Sequence, residues 1–193
     1  MGSFSIWHWL VLVLLGLSFY GIYRYAKRRP SKVQSADGPV SVGGWLLLLV
    51  VGLMFLGPLM GAGRLNSDIM AAESQYPNLK TLETWSTFKS ATWWSYLVVA
   101  CLSFYAGLGL AKGRNHSVVR QAKFLLWIVG PAASIVMGLF IPLLVFGRLE
   151  SNPELIGGLI ASVLLAAIWT AYLSKSKRVR VTYGNSPSPK TGI

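Results

Sequence analysis

Every Asp, Glu, Lys and Arg in the chain falls outside five windows, residues 2–23, 38–63, 90–111, 124–147 and 155–174. Each window is mostly apolar and reaches the ~20 residues needed for a helix to cross a hydrocarbon core of ~30 Å. The pattern predicts an all-α polytopic membrane protein with five transmembrane helices, at about residues 6–23, 45–61, 93–111, 124–146 and 155–173. The polar intervals divide it further. Residues 1–25 form an amino-terminal anchor, 26–41 a basic linker punctuated by Pro30, Gly38 and Pro39, and 42–174 a four-helix core. Within that core, 64–89 reads as a loop with a turn at Tyr76-Pro77-Asn78, and 175–193 reads as a basic, disordered tail.

Composition supports the same class. The chain is 53% hydrophobic and 12% charged, against roughly 25% charged in soluble domains, so a water-soluble monomer is excluded. A net charge of +12 would suggest a nucleic-acid partner in a soluble protein, but here the basic residues alternate between connections. Segments after the first, third and fifth windows carry 14 of them, and those after the second and fourth carry four. Basic residues beside membrane helices stay in the cytoplasm. The asymmetry therefore predicts an N-out, C-in orientation, with attraction to anionic headgroups as a secondary effect and no nucleic-acid partner. The first window is expected to be a retained anchor and not a cleaved signal, because Arg24, Lys27, Arg28 and Arg29 follow the apolar run instead of preceding it.

Candidate chemistry is sparse. The single cysteine, Cys101, excludes an intramolecular disulfide and reads as a small packing residue inside the third window. No metal, nucleotide or nucleophile motif occurs, and no acidic residue lies inside a window. No catalytic, cofactor-binding or metal-binding residue is therefore assigned. The structural candidates are His8 between Trp7 and Trp9, Gly43-Gly44-Trp45 opening the second helix, Gly57-Pro58 with Gly61, and Gly130-Pro131 with Pro142 in the fourth. Proline interrupts the hydrogen-bond ladder and kinks a helix. The Gly57-xxx-Gly61 spacing permits close helix contact.

The stretch from Gly43-Gly44-Trp45-Leu46 to the ending Ser176-Lys177-Arg178-Val179 resembles a bacterial four-helix inner-membrane family catalogued as domain of unknown function 2569, over about residues 43–183. The resemblance implies fold and location, and no activity. The segment Phe4-Ser5-Ile6-Trp7-His8-Trp9-Leu10 is similar to the amino-terminal anchor of the A-type subunit of twin-arginine protein translocases, which implies an outward-in insertion segment. The functional expectation is a non-enzymatic inner-membrane subunit or accessory module. Its partners would be the lipid bilayer and another membrane protein or a second copy of itself. The alternative is a small-solute transporter or channel built on the proline-broken helices.

Overall fold

In the computed structural model, the residues described are 44–113, 115–147 and 153–183, with Tyr20 and the short antiparallel pairing of β1 (Gln34–Ser35) with β2 (Gly38–Pro39). The amino-terminal anchor, His8, Gly43 and the tail beyond residue 183 lie outside the described residues.

Four helices are long and apolar enough to cross a membrane: α1 (Trp45–Gln75), α2 (Glu83–Lys112), α3 (His116–Phe146) and α4 (Pro153–Lys175). A short fifth helix, α5 (Lys177–Tyr183), follows after one residue. The interval expected as a loop at 64–89 is largely helix, because α1 and α2 both continue past their apolar windows. Only 76–82 connects them, and most of it is the tight turn Pro77–Thr81. The sequence contains no breaker between Arg64 and Gln75, so nothing ends α1 before Tyr76-Pro77. Trp85 and Lys89 of α2 both donate to the Glu73 carboxylate of α1, at 3.0 and 2.7 Å, and clamp this extension.

Packing follows chain order: α1 lies on α2, α2 on α3, and α3 on α4, whereas α1 and α4 are not packed along one another among the described residues. The core is concentrated at one end, where α1 begins, α2 ends, α3 begins and α4 ends; Leu46, Val50, Leu110, Val119 and Leu173 are buried there. Lys112, Arg120, Lys175, Lys177, Arg178 and Arg180 are exposed around this same end, the basic end of the bundle.

Within the segment expected as disordered at 175–193, residues 177–183 contribute to this core. Val179, Thr182 and Tyr183 share one face of α5 and are buried, while Lys177, Arg178 and Arg180 stay exposed. The Tyr183 hydroxyl donates to the Leu110 carbonyl at 2.5 Å. Leu110 lies in the last turn of α2, whose final four carbonyls have no acceptor role inside the helix, so α5 caps α2.

Candidate functional site

Interruptions in α1 and α3 build the site. A proline has no N–H, and in both helices the chain answers with wider π-helical turns at Gly52–Leu56, Ile128–Ala132 and Val136–Phe140. In α1 the Gly57 N–H reaches back five residues to the Gly52 carbonyl. The Leu53 carbonyl thereby loses its ordinary donor, and the next candidate, Pro58, has none. Ser103 of α2 supplies the bond at 2.7 Å, buried between the two helices. Pro142 repeats the register. The Ile141 N–H goes to Val136, leaving the Met137 carbonyl without its usual partner.

Glycines set how closely the helices approach. A methyl at Gly107 of α2 would collide with the Met54 side chain and sit 3.2 Å from the Val50 carbonyl, so α1 lies directly on this backbone. A methyl at Gly61 would lie 2.9 Å from the Tyr96 ring, and the Tyr96 hydroxyl donates to the Pro58 carbonyl. Of the predicted glycine pair, Gly61 makes the interhelical contact; a methyl at Gly57 would press only on its own helix, at the Gly52 carbonyl. Gly130 faces the Ser162 carbonyl of α4, 3.6 Å from its Cβ position, and Pro131 is buried beside it. Cys101 is exposed, so it packs less than its small size suggested.

The opening and closing motifs of the sequence meet at the basic end. Gly44 starts α1 with φ +60°, a conformation that favours glycine, and the Arg178 Nη1 lies 3.2 Å from where a Cβ would project. Trp45, one residue on, is exposed. This juxtaposition joins Gly44 to the basic ending across some 130 residues of chain.

The four membrane helices line a half-open cavity of 790 Å³ that runs from the edge of the core at the basic end toward the opposite end. Its floor is Leu49, Leu126 and Trp169, its middle passes Pro58, Ser103, Gly130 and Ser162, and its mouth carries Arg64, Asp68 and Glu154. The hydroxyls on the walls are engaged, Ser103 and Tyr96 across to α1 and others within their own helices. Ser134 bonds the Gly130 carbonyl at 3.0 Å and Ser162 the Leu159 carbonyl at 2.8 Å. What remains is an apolar channel with charge at one end. Arg64 and Asp68 form a solvated pair at 3.8 Å.

A family model described as a protein of unknown function, DUF2569, matches residues 39–184. The chain belongs to the DUF2569 family. Comparison with curated proteins and with solved structures gives no match. The matched span opens just before Gly44 and closes just after Tyr183, so the DUF2569 unit coincides with the part of the chain whose two ends lock together at the basic end.

Of the residues singled out in the sequence, Gly44 and Trp45 lie at the start of α1, Pro58 and Gly61 near its interruption, and Gly130 and Pro131 in that of α3; sequence reasoning did not single out Ser103 or Gly107. The signal was present. Ser103, Gly107 and Ala111 recur at four-residue spacing inside an apolar window and are all buried, the pattern of a close-packed membrane helix face.

Proposed function

We propose that this protein is a non-enzymatic, multi-pass protein of the bacterial inner membrane that acts as a subunit or accessory module for another membrane protein. Its basic end would face the cytoplasm, the side that the distribution of lysines and arginines favours. The observation that carries the reading is the outer face of α4. Only 6% of the apolar window of α4 is buried within the chain, against 39% for α1. Ile156, Ile160, Leu164 and Ile168 project outward, and between them Gly157 and Ala161 form a small-residue pair at four-residue spacing on the same exposed face. A methyl at Gly157 would meet nothing within 4 Å. Such a face lets a second helix approach closely, where van der Waals packing drives association inside lipid.

The transport reading has one observation in its favour, the Met137 carbonyl released beside the cavity. Against it stands the Leu53 carbonyl, which Ser103 already occupies, so the break at Pro58 is satisfied within the bundle. Purification in mild detergent tests the partner reading. A stoichiometric companion or a homodimer should accompany the protein and be lost from Gly157→Leu at unchanged abundance. A monomer in both preparations would count against it.

A further inference from the structure

We propose that the interhelical cavity holds one acyl chain of a zwitterionic, amine-bearing phospholipid, with the headgroup at Arg64, Asp68 and Glu154. The walls suit a hydrocarbon tail. Leu48 and Ile69 of α1 both line the cavity, and at 1.5 Å per residue they stand about 30 Å apart. Between them the lining is mostly apolar, from Leu49, Leu126 and Trp169 to Val129, Met137 and Leu159. A tail lies along such a channel without leaving a polar group unpaired.

Access and charge complete the assignment. α1 and α4 both line the channel but are not packed along one another, which leaves the gap between them as the route by which a tail would enter from a surrounding bilayer. Arg64 is the first charged residue after the second window and Glu154 the last before the fifth, so the mouth sits at headgroup depth. Arg64, Asp68 and Glu154 bring one cation and two carboxylates to its lining, Arg64 and Asp68 lying 3.8 Å apart and largely solvated. That set complements a headgroup carrying both a phosphate and an ammonium better than one carrying only negative charge. The cavity and the outer face of α4 are opposite sides of the same helix, so this proposal goes beyond the partner reading and does not depend on it.

Two glycines make the test specific. Gly52 and Gly158 line the cavity, and a Cβ at either meets nothing within 4 Å, so a larger side chain enters the channel without striking its walls. Gly63 is equally open and lies outside the lining. The full chain would be delipidated in detergent, mixed with phosphatidylethanolamine or phosphatidylglycerol, and examined by native mass spectrometry. The expected result is one retained phosphatidylethanolamine per chain for the wild type and Gly63→Leu, with occupancy at least tenfold lower in Gly52→Leu and Gly158→Leu. Equal occupancy in all four proteins would overturn the site, and equal retention of phosphatidylglycerol would overturn the headgroup assignment. A wild-type measurement removes dependence on how the variants fold. Phosphatidylethanolamine with a photoreactive group at the tail end should label peptides holding Leu126 or Trp169. Labelling confined to Ile160 and Ile168 would contradict the proposal.

Discussion

Ser103 of α2 donates to the carbonyl of Leu53 in α1 at 2.7 Å, the carbonyl left without a donor by the wide turn before Pro58. The bond turns a break in one membrane helix into a lock on its neighbour. Four residues further along α2, Gly107 brings the two backbones close enough for that reach. In lipid an unpaired backbone group has no water to turn to, so the pair defines the register of α1 against α2.

Ser103→Ala should therefore lower stability by about 1–2 kcal/mol, the range for leaving a buried acceptor unsatisfied, moderated by what membrane-buried bonds return. Pro58→Ala restores an N–H to α1 in the same turn. The loss from Ser103→Ala should shrink when Pro58→Ala is already present, giving a coupling of about 0.5 kcal/mol or more in a double-mutant cycle read by thermal or denaturant unfolding in detergent. Strict additivity would mean that the serine and the proline act separately.

Gly107→Val should cost about 1–3 kcal/mol through overpacking against Met54 and the Val50 backbone. Gly63→Val, on the open face of α1, should lose nothing by comparison, because no neighbour lies within 4 Å of its Cβ. The ratio of folded to aggregated protein in size-exclusion chromatography separates the two.

Tyr183→Phe removes the donor that caps the Leu110 carbonyl at 2.5 Å and should cost about 1 kcal/mol. Tyr183→Ala also empties a fully buried aromatic position and should cost about 3–5 kcal/mol. A stop codon after Ser176 should behave like the alanine variant. Unchanged melting of the truncated protein would show that α5 adds nothing to the bundle.

How much of this was legible in the sequence depends on range. Charge-free windows mark helices because lipid penalises each charge separately, a property of single residues, and four of the expected five spans are present among the described residues. Helix ends were less readable. Arg64–Gln75 is polar, and polarity alone does not distinguish a solvated helix from a loop; only the bonds from Trp85 and Lys89 to Glu73 fix it. Ser103 and Gly107 carried a readable four-residue spacing, but their partners at Leu53 and Val50 follow from how Pro58 shifts the register of another helix. α5 was hidden because Lys177, Arg178 and Arg180 dominate its composition, although Val179, Thr182 and Tyr183 occupy one face.

Orientation is open to a direct check. On a Cys101→Ser background, single cysteines at Ser74 and Asn152 should react with an impermeant reagent from outside, and those at Ser117 and Ser186 only after permeabilisation. The division of basic residues between alternate connections is the reason to expect this result. Labelling of Ser74 from the cytoplasmic side would invert the bundle.

The central claim, that the outer face of α4 receives another membrane helix, is tested most directly by photo-crosslinking in intact membranes from single positions along that helix. The account predicts an adduct of one discrete mass from Ile160, Leu164 and Ile168, abolished by Gly157→Leu, with none from Leu159 or Ser162 on the cavity side. A mass of two chains would identify the partner as a second copy, and any other single mass a different protein. Lipid adducts alone from all five positions would contradict the claim.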